Sequence, residues 1–230
     1  MIPKIIHYCW FGKSEMPEIA AKCIDSWHKY CPDFEVKLWN ESNFDVNINS
    51  YSREAAKVNQ WAFIADIARL WVIYNYGGVY LDVDVEVIKP IDDFLNNQMF
   101  LGFESHSVIN MGSGFGAEKK IYLLKKMLDS YDSVPFINAD ETINTIASPK
   151  YTTASMESEG FLLNNTKQTI NDATIYPTEY FCPKDWQTGE INITENTHTI
   201  HHFLASWWSE EEKKLHERRK KILKLLKNKV

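Results

Sequence analysis

The stretch from Asn59 to Pro90, NQWAFIADIARLWVIYNYGGVYLDVDVEVIKP, restricts the fold of this chain more than any other part of it. Its first half reads as a strongly apolar helix whose single acid and single base, Asp66 and Arg69, stand three positions apart and so share a face. Gly77 and Gly78 can then supply the left-handed backbone that closes a helix and turns the chain. From residue 79 to 88 the pattern alternates strictly. Val79, Leu81, Val83, Val85 and Val87 point one way, and Tyr80, Asp82, Asp84 and Glu86 the other, which predicts one continuous strand.

Carboxylates two residues apart on a strand are about 6.6 Å apart along its axis, close enough to converge on one cation or its bound waters. Without a cation, Asp82, Asp84 and Glu86 would stack like charges on one face of a structure that disfavours Asp. Carboxylate oxygens select hard ions such as Mg²⁺ or Mn²⁺, whose octahedral shell keeps positions for water and for phosphate oxygens. A site of this kind suits a reaction in which negative charge builds on a departing diphosphate, because the metal stabilises that charge without proton transfer.

The remainder is consistent with an α/β domain. Pro3–Trp10 reads as a buried strand, Glu15–Tyr30 as an amphipathic helix ending at Cys31-Pro32-Asp33, and Phe34–Trp39 as a second strand. Strand, helix, strand at this spacing argues for a mostly parallel sheet covered by helices. With 230 residues, 44% of them apolar, one domain over residues 1–212 has enough material for its own core. Residues 213–230 form a basic amphipathic tail with nine Lys or Arg against one Glu, net +8, so a total charge of −6 leaves −14 on the body. A body this acidic excludes a nucleic-acid binder. The tail suits peripheral contact with an anionic membrane surface. No run approaches the roughly 20 apolar residues of a membrane span, and Cys9, Cys23, Cys31 and Cys182 lack metal-ligand spacing. Free thiols and a cytoplasmic location are expected, with a peripheral seat on the inner face of the membrane through the tail.

The block ADIARLWVIYNYGGVYLDVDV resembles glycosyltransferase family 32, the DxD sugar transferases of capsular polysaccharide synthesis type. Similarity continues through IPKIIHYCWFG, INMGSGFGAEK, YPTEYFCPKDW and TIHHFLASWW, and the spacing of Asp66, Arg69, Tyr80, Asp82 and Asp84 is similar to the donor site of the large clostridial glucosylating toxins. The resemblance implies a GT-A (Rossmann-like) fold and transfer of a sugar from a nucleotide diphosphate sugar, in the first place a UDP-sugar. Transfer would be with retention, to a glycan or lipid-linked saccharide in surface polysaccharide or lipopolysaccharide synthesis. It implies that Asp84 ligates the metal, that Asp82 contacts the ribose and the metal's waters, and that Asp66 and Arg69 grip sugar hydroxyls.

Around these, Trp10 or Phe11 could stack on the base, with Tyr80 and Asn110 also at the donor. Ser206, Trp207 and Trp208 would contact the phosphates. His201 or His202 would complete the metal site; adjacent side chains on extended backbone diverge, so one should face the ion, and His201 is the first choice. Asn110–Gly116, NMGSGFG, lacks the Walker Lys and the dinucleotide pattern, and it leads into a helix from Ala117. Two other functions compete. A metal-dependent nucleotidyltransferase would need a basic, glycine-rich triphosphate loop where this chain has IPKIIHYCWFGK, and a non-catalytic sugar-nucleotide or glycan-binding module would not need an intact acidic set.

Overall fold

The computed structural model describes residues 1–205 and 208–227, with side chains to residue 223. In chain order the elements are β1 (Ile5–Cys9), α1 (Glu18–Tyr30), β2 (Glu35–Trp39), α2 (Ser50–Lys57), α3 (Trp61–Tyr76), β3 (Gly78–Tyr80) and β4 (Val85–Val87). There follow β5 (Met99–Ser105), β6 (Val108–Asn110), β7 (Phe115–Ala117), α4 (Tyr122–Ser130) and α5 (Ser148–Ser158). The chain continues through β8 (Gln168–Ile170), β9 (Ala173–Tyr176), α6 (Thr178–Phe181), β10 (Thr199–His201) and α7 (Glu210–Lys227).

The main sheet has eight strands in the order β2-β1-β3-β7-β5-β9-β8, with β6 paired to β5. Pairings β1–β2, β1–β3 and β5–β9 are parallel, while β7 runs antiparallel between β3 and β5. Helices pack on both faces. Val79 and Phe100 belong to the core beneath α1, whereas their neighbours Tyr80 and Leu101 belong to the core with α3, as alternation across a pleat requires. The α3 face is built on Phe63, Ile64, Ile67 and Leu70, and the α1 face on Cys23 and Trp27.

Three expectations change. Helix α1 begins at Glu18 rather than Glu15, because Pro17 restricts the residue before it and itself sits at the cap in extended backbone. The segment after the glycine-rich turn is not helical from Ala117: Phe115–Ala117 is strand β7, and α4 starts at Tyr122 after Lys120 adopts a φ of 66°. The alternating run 79–88 is not one strand either. It breaks between β3 and β4, and β4 leaves the main sheet to pair antiparallel with β10. Both halves keep their alternation, so Val79, Leu81, Val85 and Val87 still share one core, while Asp82 and Asp84 fall in the turn between them.

Candidate metal centre and donor cleft

The elbow between α3 and β3 aims that turn. Gly77 and Gly78 have φ of 68° and 111°, conformations that side chains other than glycine rarely adopt. A Cβ on Gly78 would lie 2.8 Å from the Ile5 carbonyl oxygen and 2.9 Å from His7 Nε2, so the glycine also lets β3 close on β1. His7 is fully buried beneath the elbow. Its Nδ1 accepts the Trp39 indole N–H at 3.0 Å, which leaves Nε2 to donate to the Gly77 carbonyl at 3.0 Å. The ring is therefore neutral, and burial lowers its pKa to about 4.

Beyond Tyr80 three segments pin the backbone. Leu81 N–H donates to the His7 carbonyl at 3.1 Å, Asp82 N–H to the Gly112 carbonyl at 3.2 Å, and His202 N–H to the Asp84 carbonyl at 2.9 Å. Val85 N–H closes the turn on the Asp82 carbonyl at 3.0 Å. As a result Asp82, Asp84 and His201 each present one ligand atom, all within 4.8 Å of one another.

The hydrogen bonds around this triad leave room for a cation. Asp82 Oδ1 accepts the Arg69 guanidinium and the Tyr80 hydroxyl, each at 3.0 Å, and its Oδ2 has no protein donor among the described residues. Asp84 Oδ2 accepts the Leu204 N–H at 2.6 Å, and its Oδ1 lies 3.4 Å from His201 Nε2. His201 Nδ1 is held 3.2 Å from the Ser113 hydroxyl. Burial, reinforced by the like charge of Asp84, raises the Asp82 pKa against the pull of Arg69. Burial would also raise Asp84, but His201 and the Leu204 amide outweigh it and hold the carboxyl down to about 2. Two carboxylates and an imidazole, with Asp84 and His201 buried and Asp82 half-buried, all oriented from behind by their own partners, suit a divalent ion.

Arg69 ties the triad to α3. Its guanidinium nitrogen lies 3.2 Å from Asp66 and 3.0 Å from Asp82, and its charge sits 5.1 Å from the Tyr80 ring centre. Asp66 is pushed up to about 6 by burial, with Arg69 opposing. Arg69 Nε is buried with no hydrogen-bond partner among the described residues. The triad opens into a cleft of about 660 Å³, the size class of a small-molecule site.

Of the residues singled out in the sequence, Trp10, Phe11, Asp66, Arg69, Tyr80, Asp82, Asp84, Asn110, His201 and Trp208 all line this cleft. Phe11 is nevertheless a core residue, 5% exposed and edge-on to Phe44, so Trp10 and Trp61 offer the freer aromatic faces. His202 turns away from the triad and pairs with Glu86 at 2.9 Å, which removes it from the set of metal ligands. Ser206 and Trp207 lie outside the described residues. Asn110 has both ends of its amide engaged, Oδ1 by the Gly112 N–H at 2.7 Å and Nδ2 by Glu104 at 2.5 Å. Sequence reasoning missed Trp61, Glu104 and Ser113. Ser113 sits within the glycine-rich turn already singled out, and Trp61 opens the constraining helix, whereas a lone Glu at a strand end carries no signal.

Residues 17–101 match the family described as "glycosyltransferase sugar-binding region containing DXD motif". Among solved structures, the fold superposes on PaToxG glycosyltransferase with a TM-score of 0.57, 18% identity and coverage of 69% of this chain and 70% of that one. A glycosyltransferase involved in glycosylating the major capsid of PBCV-1 gives a TM-score of 0.51 at 14% identity, covering 93% and 98%. The fold is thus the GT-A fold, and its acidic turn is the DXD element of that class. Residues 17–101 are thus similar to the DXD sugar-binding region of glycosyltransferases, set within a GT-A fold. Inositol phosphoceramide mannosyltransferase 3 of Schizosaccharomyces pombe is 35% identical over 41% of this chain and 28% of its own length. Inositol phosphoceramide mannosyltransferase 1 of the same organism is 29% identical over 44% and 33%. The chain spans about a third or less of the length of these relatives.

Proposed function

We propose that this chain transfers a sugar, with retention at the anomeric carbon, from a nucleotide diphosphate sugar, in the first place a UDP-sugar, to a glycan or lipid-linked saccharide of a cell-surface polysaccharide. The observation that carries the proposal is the convergence of Asp82, Asp84 and His201 at the floor of a cleft, with Asp82 bound from behind by Arg69. Mn²⁺ or Mg²⁺ held there would neutralise charge developing on the leaving diphosphate.

This chain's own residues do the remaining work. Trp10 and Trp61 offer faces for a base, and Asp66 with Arg69 presents a charged, buried edge to sugar hydroxyls. Pinning of the acidic turn by β1, Gly112 and the segment after β10 means that little reorganisation is needed when the donor binds. The relatives' names support a lipid-linked acceptor. So does α7, where Leu215 and Ile222 are exposed, seven residues apart, on a helix rich in Lys and Arg; a peripheral seat on the cytoplasmic face of a membrane would bring the cleft to such an acceptor. Among the described residues no helix is long and apolar enough to cross a membrane.

Two measurements test the reading. Calorimetry should show UDP binding that requires Mn²⁺, and donor hydrolysis across UDP- and GDP-sugars should show metal-dependent turnover. Binding of UDP with no effect of metal, or no turnover of any donor, would sink it. For the membrane seat, Arg218→Glu with Lys221→Glu should reduce sedimentation with anionic vesicles, and unchanged sedimentation rejects that part. Charge reversal is preferable to deletion because His216 of α7 stacks on Trp186 at the cleft mouth.

A further inference from the structure

Four acids line the cleft, and three already face Arg69 or His201. Asp66 and Asp82 share Arg69, and Asp84 faces His201. Glu104 is different. Its Oε2 accepts a hydrogen bond from the neutral Asn110 amide at 2.5 Å, and its Oε1 has no partner among the described residues. The Asn110 amide is oriented unambiguously, because its Oδ1 takes the Gly112 N–H and so its NH₂ must point at Glu104.

The backbone is also shaped to aim this side chain. In the β5–β6 hairpin Phe103 pairs with Ile109 and Ser105 with Val108, so Glu104 is the extra residue of a β-bulge. Bulges re-aim side chains at the edges of sites, and here the re-aimed side chain is a carboxylate directed into the cleft that holds the metal triad. Glu104 stands outside that triad.

Resting on the transferase reading above, we propose that Glu104 is a catalytic residue that accepts the proton of the attacking hydroxyl, whether of the acceptor sugar or of water. The hydroxyl oxygen attacks on the face from which the diphosphate departs, as retention in one displacement requires: it forms a bond to the anomeric carbon, the bond from that carbon to the diphosphate breaks with its electron pair leaving on the diphosphate, and the hydroxyl proton moves to Glu104 Oε1. Asn110 is a positioning residue, holding Oε2 so that Oε1 faces the nucleophile. Burial raises the Glu104 pKa, which makes the carboxylate a better proton acceptor than an exposed one.

The test uses the full chain and the hydrolysis of whichever sugar nucleotide the wild type turns over, water being the nucleophile. Glu104→Gln should lower kcat by about 100-fold or more, the scale of a lost general base, while the donor KM and the Kd for UDP with Mn²⁺ stay within about twofold. Glu104→Ala should show the same loss and regain at least about tenfold in sodium azide, a nucleophile with no proton to give up, with the glycosyl azide as product. A kcat near wild type overturns the assignment. So does a loss that azide does not relieve, or one matched by weaker UDP–Mn²⁺ binding. A wild type that turns over no donor fails at the transferase reading itself, before any variant is made.

Discussion

Acid should destabilise this protein through His7 before it protonates the bulk of the carboxylates. The buried ring has a folded-state pKa of about 4 against an ordinary value of 6.5. The folded state therefore binds the proton more weakly than the unfolded chain, so this contribution to stability is present above pH 6.5 and is lost as pH falls towards 4. A difference of about 2.5 units corresponds to about 3 kcal/mol in full, of which about 2 kcal/mol is gone by pH 5. The physical cause is visible in the bonds: protonating Nδ1 sets an N–H against the Trp39 indole N–H at a fully buried ring, where the lost acceptor is not replaced from bulk solvent. Urea unfolding between pH 4 and 8, compared with His7→Gln, isolates the effect, because Gln offers an acceptor to Trp39 and a donor to Gly77 without titrating. The wild-type curve should fall more steeply than the variant's between pH 6.5 and 4. Parallel curves would refute the reasoning. Loss of His7 would loosen the elbow that aims the acidic turn, so activity should decline over the same range.

Asp84→Asn keeps an oxygen for the Leu204 N–H but removes the charge, so Mn²⁺-dependent UDP binding should weaken by about 100-fold or more while Tm moves by a few degrees; unchanged metal affinity would make the acid structural. Arg69→Met leaves the buried Asp66 and the half-buried Asp82 without their shared cation and should cost about 2–4 kcal/mol in urea unfolding, part of it recovered by adding Asp66→Asn; additive single and double variants would deny the coupling. Gly112→Ala places a Cβ 2.2 Å from Asp82 Oδ2 and must displace the carboxylate, so Mn²⁺ titration should show about tenfold weaker binding with a stability cost of about 1–3 kcal/mol; wild-type affinity would mean that Oδ2 is not used.

What the sequence could reveal about this site follows from the range of the forces that build it. The apolar helix, the glycine pair and the alternation are local patterns, and α3, the elbow, and the inward-facing Val79, Leu81, Val85 and Val87 all occur where those patterns put them. The break between β3 and β4 is not local, since it depends on β10, more than a hundred residues later, taking β4 into a second sheet. The same long-range pairing selects between the adjacent histidines: β10 places His201 beside Asp84, and the next residue must then point at Glu86. The antiparallel strand β7 is three residues long and includes Gly116, into which the Phe100 ring packs; too short to show a period, it needed the finished sheet to become a strand. Glu104 is the limiting case. Nothing in its neighbourhood of sequence marks it, because its orientation comes from a one-residue mismatch in the β5–β6 register and its binding partner from the far side of that hairpin. The acidic pair proposed to hold the metal stood out because such chemistry demands a repeated residue type at fixed spacing, whereas a single proton acceptor demands one carboxylate in one place, which only the folded register defines.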